Sequence, residues 1–203
     1  MSAVDFEILL QQILNGLVLG SVYALVALGY TMVYGVLGLI NFAHGEVVMI
    51  GAMSALSAAR LVQSLLPGLP GPIVLLLSTL MAIPVCRALG YAIERVAYRP
   101  LRFAPRLAPL ITAIGVSILL QNVAMVIWGR SYHSFPAYVS TEPFHVFGAT
   151  MTPVQVLIIV VSVALMAGLM FLVHHTRLGR AMRATAENQS VAGLMGVDIN
   201  AII

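Results

Sequence analysis

From Ile8 to Gly45 the chain runs for 38 residues without an Asp, Glu, Lys or Arg. A helix needs about 20 apolar residues to cross the hydrocarbon core of a bilayer, and a soluble fold has no interior for an uncharged run of nearly twice that length. Of the 203 residues, 61% are hydrophobic and only 8% are charged, with a mean hydropathy of +1.02. Ordinary soluble domains carry roughly 25% charged residues. A chain this apolar cannot cover itself with polar surface, so its side chains face lipid as well as one another. The sequence reads as an all-α, polytopic transmembrane helix bundle.

The run is long for one crossing and short for two. A first span is expected over about Ile8–Leu28, with Gly16 and Gly20 at the spacing that lets a second helix approach closely. Tyr30–Ile40, interrupted by Gly35 and Gly38, has the length of a half-helix or re-entrant piece. A polar cluster, Asn41 to Glu46, leads into a second span ending near Ala59. The segment Leu66–Pro72 holds three prolines and two glycines and reads as a short loop. A third span, about Ile73–Ala92, contains Pro84. A fourth covers about Leu107–Trp128, followed by a polar and aromatic loop over 129–152. Thr152 is placed to cap a fifth span, with Pro153 at its first position, reaching about Val173. The expected organisation is a single transmembrane domain over 1–203, with about five spans plus a half-helix. Asp198 is placed to cap a further helix, so the sequence reads as stopping where another span begins.

All ten cationic residues are arginine. Without lysine the chain offers neither a phosphate-binding P-loop nor a Schiff-base nucleophile. The single cysteine, Cys86, has no intrachain partner for a disulfide or redox pair. His44 and Glu46 do not form the HExxH pattern, and the adjacent His174 and His175 cannot converge on one metal from a helix. No cofactor or metal is expected, and the net charge of +3 reads as membrane orientation, not nucleic-acid binding. Arginines cluster at Arg95, Arg99, Arg102 and Arg106 and again at Arg177, Arg180 and Arg183, which places both segments in the cytoplasm by the positive-inside rule. The N-terminus carries Asp5 and Glu7 and no basic residue, unlike a secretory signal. It is expected outside, unless residues 29–60 cross twice.

Asn41, His44 and Glu46 are ionisable or polar groups next to apolar spans, a costly placement that marks a candidate transport pathway. A structural reading stands beside it: Asn41 caps the second span and Glu46 sits at the positive end of that helix. Gln121 and Asn122, with Ser117 one turn from Gln121, either line a polar path or hydrogen-bond between helices. Trp128, Tyr132, Phe135, Tyr138, Phe144 and Phe147 fit an interfacial aromatic belt or a docking face for an external partner. The segment 177–198 is helical by composition and only weakly amphipathic. Arg180–Glu187 is expected as a first helix and Ser190–Met195 as a second turn, capped by Ser190 and ended by Gly196. Its Met182, Val191, Leu194 and Met195 suggest contact with another protein.

Several blocks stand in a specific order: Asn15 to Ser21 (NGLVLGS), Gly29 to Gly35 (GYTMVYG), Ile40 to Glu46 (INFAHGE), Ile93 to Pro100 (IERVAYRP), Arg177 to Ala184 (RLGRAMRA) and Gly193 to Val197 (GLMGV). Together they resemble the LivH-type permease of bacterial ABC importers for branched-chain amino acids. The resemblance implies an inner-membrane subunit that pairs with a second homologous permease. It also implies two cytoplasmic ATPase subunits and a periplasmic solute-binding protein, with membrane lipid around the bundle. Residues Arg180, Met182, Arg183, Ala186, Glu187, Gly193 and Leu194 would then belong to the segment that couples to an ATPase. Family members continue with further spans, so the resemblance also implies a chain truncated at its C-terminus. Related permeases for urea or short amides share the Asn-x-Ala-His-Gly-Glu block and stand as the alternative substrate class. An ion-driven carrier would need paired acids inside spans, and only Glu46 qualifies; an intramembrane enzyme would use His44 and Glu46, but the sequence shows neither a metal motif nor an evident nucleophile–base pair.

Overall fold

The computed structural model describes residues 3–38, 40–101, 104–105, 107–140, 142–146 and 148–202. The helices are α1 (Ala3–Leu37), α2 (His44–Leu65), α3 (Gly71–Ile93), α4 (Leu107–Trp128), α5 (Pro153–His175), α6 (Arg177–Glu187), α7 (Gln189–Leu194) and α8 (Ile199–Ile202). Two strands, β1 (Phe144–Val146) and β2 (Ala149–Met151), precede α5, and α3 is prolonged by a π-turn at Glu94–Tyr98 and a 3-10 turn at Arg99–Leu101. Helices α1 to α5 each contain a stretch long and apolar enough to cross a membrane, and the protein is a multi-pass membrane protein. Arg102, Arg106 and Phe147 lie outside the described residues. The chain divides into two compact units, Met1–Gly38 with Ser140–Ile203, and Leu39–Val139.

In the first unit, the half-helix expected at Tyr30–Ile40 is not a separate piece. Helix α1 runs unbroken for 35 residues. It ends at Gly38, whose φ of 67° closes the last turn with an N–H donated to the Tyr34 carbonyl at 2.8 Å. In hydrocarbon a broken helix would strand backbone N–H and C=O groups without water, at several kcal/mol each. That cost outweighs the roughly 1 kcal/mol by which each glycine disfavours helix in water, so Gly29 and Gly35 stay helical.

The loop expected before α5 folds locally into an antiparallel hairpin, with Phe144 opposite Met151 and His145 opposite Thr150. The turn carries Gly148 at φ 89°. The side chain of Gln11 then treats β2 as a neighbouring strand would. Its Oε1 accepts from the Thr150 N–H at 2.8 Å and its Nε2 donates to the Thr150 carbonyl at 3.1 Å. Helix α5 opens as its sequence predicts. Thr152 Oγ1 accepts from the Gln155 N–H, the Gln155 side chain accepts from the Thr152 N–H at 2.9 Å, and Pro153 takes the first position.

At the opposite end of this unit, Gln189 Nε2 donates to the Val36 carbonyl at 3.4 Å. Helices α1 and α5 therefore run parallel, starting beside the hairpin and ending beside α6 and α7. Three candidate spans, α2 to α4, lie in sequence between the end of α1 and the start of α5. Residues 29–60 hold the end of α1 and most of one further candidate span, α2.

The joint between α5 and α6 is tightly made. Thr176 Oγ1 donates to the Leu172 carbonyl at 2.5 Å and accepts from the Gly179 N–H at 3.0 Å, closing one helix and opening the next. The Arg183 guanidinium donates to the Val173 carbonyl. Gly179 is buried, and a Cβ there would strike the carbonyl oxygens of both Leu172 and Val173.

In the second unit, α2 and α3 pack around Ala59, Val62 and Val74, with Leu69, Leu77 and Tyr138 against them. Gly51 lets α3 approach: a Cβ there would sit 2.8 Å from Cys86 Sγ, which gives this cysteine a packing role. A second cluster joins Ala43, Ile50, Ile93, Tyr98, Ala113 and Leu120. The end of α4 and the segment after it meet α2 through their aromatics. Trp128 Nε1 donates to Ser57 Oγ at 2.8 Å and the Tyr138 hydroxyl to Gln63 Oε1 at 3.2 Å. Phe135 meets Tyr138 edge-on with ring centres 5.7 Å apart. Tyr132 is fully exposed.

Candidate functional site

In the Leu39–Val139 unit, polar groups gather at the start of α2. Asn41 was expected to cap that helix. The cap position belongs instead to Ala43, which is fully buried and has no side-chain partner to offer. Asn41 acts two residues earlier: its Oδ1 accepts from the Ala43 N–H at 3.0 Å and its carbonyl accepts from the His44 N–H at 3.1 Å. This Asx turn holds the approach to the helix. The same Oδ1 accepts from the Tyr98 hydroxyl at 2.7 Å, which ties the turn to the π-turn after α3. His44, half-buried, is the first residue of α2.

Glu46 lies two residues further along, still in the first turn, where the helix N-terminus favours negative charge. Its Oε1 accepts from Ser117 Oγ at 2.8 Å and from Gln121 Nε2 at 2.5 Å. Residues 117 and 121 are four apart and share one face of α4, the face that also buries Ala113, Leu120 and Ala124. Interhelical hydrogen bonds of this kind contribute about 0.6–2 kcal/mol each in a membrane. Among the described residues, Glu46 has hydrogen-bond donors but no cationic partner. Asn122, next in sequence to Gln121, is turned about 100° around α4. Its Nδ2 donates to the Ile118 carbonyl at 2.8 Å, and it lines a shallow apolar recess with Val123, Val126 and Ile127. Of the five pathway candidates, the structure brings Glu46 and Gln121 together, sets Asn41 and His44 at the same helix start, and leaves Asn122 apart. Tyr98 was missed as a candidate. The signal available was a hydroxyl at the end of an apolar span, within the Ile93–Pro100 block. No group of three His, Cys, Asp or Glu suited to a metal ion occurs among the described residues.

The second candidate site is the α6–α7 region of the other unit. Helix α6 starts at Arg177, capped by Thr176, and α7 is capped by Asn188 Oδ1, which accepts from the Val191 N–H at 3.1 Å. Asn188 thus takes the role expected of Ser190, because an Asn side chain at this position already reaches the helix's free N–H groups. Helix α6 is more sharply two-sided than its sequence suggested. Gly179 and Thr185 are buried with Ala181 and Met182 half-buried, while Arg177, Arg180, Ala186 and Glu187 are exposed. Arg183 is exposed yet reaches back to α5. Gly196, at φ 85°, ends α7, and the Val197 N–H bonds to the Ala192 carbonyl at 3.1 Å, the pattern of a Schellman stop. Leu194 and Met195 are left 87% and 81% exposed. Gly193 is exposed, but a Cβ on it would first meet Ile199 of its own chain, at 3.3 Å.

Comparison with known proteins gives a consistent set of similarities. Residues 12–203 match the family model described as "Branched-chain amino acid transport system / permease component". The chain is 46% identical, over 96% of its length and 64% of the relative's, to the high-affinity branched-chain amino acid transport system permease protein BraD of Pseudomonas aeruginosa. It is 41% identical, over 98% of its length and 66% of the relative's, to LivH of Escherichia coli. A probable LivH of Methanocaldococcus jannaschii is 28% identical over 93% of the chain. The chain thus spans a little under two-thirds of the length of BraD and LivH. No solved structure matches it.

Proposed function

The chain belongs to the family of branched-chain amino acid transport system permease components, and from that premise we propose that it forms part of the translocation pathway of an ATP-driven importer. The carrying observation is the 46% identity to a permease of that named system across 96% of the chain. In this reading leucine, isoleucine or valine arrives from a periplasmic binding protein and passes through the inner membrane. The protein pairs with a second, homologous permease, and two cytoplasmic ATPase subunits hydrolyse ATP. The chain itself performs no chemistry on its substrate. Asn41, His44, Glu46, Gln121 and Asn122 are the polar groups proposed to face the path; an apolar wall with few polar groups passes a branched side chain without holding it. Arg180, Met182, Arg183, Ala186, Glu187, Gly193 and Leu194 are proposed to form the ATPase-coupling end. Arg180, Ala186, Glu187, Gly193 and Leu194 contribute its outer surface, and Met182 and Arg183 its inner side, where Arg183 bonds to α5.

Uptake in proteoliposomes holding the assembled complex tests this directly. Labelled leucine should accumulate only with internal ATP and binding protein, with isoleucine and valine competing and excess urea not. Competition by urea and not by valine would transfer the assignment to the urea or amide class.

The sidedness has its own measurement. Arg95→Cys and Gln189→Cys, in a Cys86→Ala background, should resist a membrane-impermeant thiol reagent added to intact cells, whereas Tyr132→Cys should react. Labelling of either of the first two from outside would reverse the orientation.

A further inference from the structure

Glu46 carries an electrostatic problem that its hydrogen bonds leave unsolved. The carboxylate belongs to a membrane-spanning helix, where ionisable groups are costly and ordinarily meet an opposite charge. Among the described residues it meets none. The first turn of α2 offers the equivalent of about half an elementary charge, which leaves much of the negative charge unmatched. The geometry is also lopsided. Ser117 and Gln121 both donate to Oε1, at 2.8 and 2.5 Å, while Oε2 takes no side-chain donor among the described residues. Two side-chain anchors on one oxygen fix the direction of the carboxylate, a backbone N–H of Glu46 itself adds a third contact, and the lone pairs of Oε2 that no side chain uses remain to accept.

We propose that Ser117 and Gln121 position Glu46 to accept, through its second oxygen, the α-ammonium group of the amino acid in transit. The inference rests on the proposed function, because a zwitterionic amino acid is the substrate class that brings this cation. A carboxylate–ammonium contact is charge-assisted and stronger than a neutral hydrogen bond. Urea and neutral amides carry no cation and would leave the charge as unmatched as before. The half-buried Val47 and Val116 flank Glu46 and Ser117 in sequence and pack on the adjoining core, giving the region the apolar character that a branched side chain requires. Ser117 acts only through Glu46 and is a positioning residue.

The test uses the assembled complex in proteoliposomes and reads leucine moved per ATP hydrolysed. Glu46→Gln preserves the size of the side chain and an acceptor for both donors while removing the charge. It should lower the ratio about tenfold or more, the effect of losing a hydrogen bond to a charged group. Ser117→Ala should lower it about two- to tenfold, and Ser117→Thr, which keeps the hydroxyl, should restore it. A purely structural role for Ser117 would change the amount of complex recovered and not this ratio. A wild-type ratio in Glu46→Gln overturns the proposal. If Glu46→Gln fails to insert, the Ser117 pair decides, and an unchanged ratio in Ser117→Ala then overturns it. Failure of the wild-type complex to carry leucine counts against the substrate assignment instead, so the two failures are distinguishable.

Discussion

A Gly179→Ala permease is expected to be clearly less heat-stable in detergent than the wild type, with uptake reduced in step. The added methyl has no space: it would strike the Leu172 and Val173 carbonyl oxygens, which belong to the backbone of α5 and cannot rotate aside. The same few residues are fixed by Thr176, bonded to both helices, and by Arg183 on the Val173 carbonyl. Relief therefore requires separating α6 from α5. Overpacking in a tight site costs about 1–3 kcal/mol and occasionally more, against a total of about 5–15 kcal/mol for a typical domain. Gly168→Ala in α5 is the matched control, since a Cβ there meets nothing within 4 Å. It should be neutral or slightly stabilising, through reduced freedom of the unfolded chain. Equal melting of the two variants would show that the joint is slack.

Ala186→Arg should give the opposite phenotype: a stable permease that no longer couples. Ala186 is exposed on the last turn of α6, where substitutions usually change stability by no more than about 0.5 kcal/mol. If this surface seats in an ATPase groove, a bulky cation overpacks it, and about 1–3 kcal/mol becomes a loss of roughly 5- to 150-fold in stimulated hydrolysis. Binding of leucine to the periplasmic protein, measured separately, should not change. Wild-type stimulation and uptake in this variant would remove α6 and α7 from the ATPase contact. A substitution at Gly193 is a poorer probe than its exposure implies, because Ile199 receives the new side chain first.

The spans were legible wherever the sequence punctuates them. Helix α4 lies between Pro105 and Gly129, and α5 starts at a capping threonine followed by proline, so both starts and the end of α4 could be read directly. Glycines misled at Tyr30–Ile40, since in lipid the backbone satisfies its hydrogen bonds by staying helical. The hairpin over 144–151 was not legible, because its strands have three residues each and its outer partner, Gln11, is 139 positions away. The polar site was half legible. The spacing of Ser117 and Gln121 places them on one face, but nothing local shows that Glu46 lies opposite, or that Tyr98 reaches Asn41. Gln121 and Asn122 look alike in sequence, and only the azimuth around α4 separates them. The two-sidedness of α6 was underestimated because alanine, glycine and threonine bury readily without looking hydrophobic.

The parallel pair α1 and α5 has a mechanical consequence. Their shared ends are fastened, at one side by Gln11 to the hairpin and at the other by Gln189 to the last turn of α1. With 35 residues at about 1.5 Å each, α1 is a lever arm of about 50 Å. A tilt of about 5° about one end of such an arm carries the other through about 4 Å, by the same rise per residue. Force applied beside α7 would therefore arrive at the hairpin, at the other end of α1, as a lateral displacement larger than a hydrogen bond is long, with no bend required anywhere along the helix.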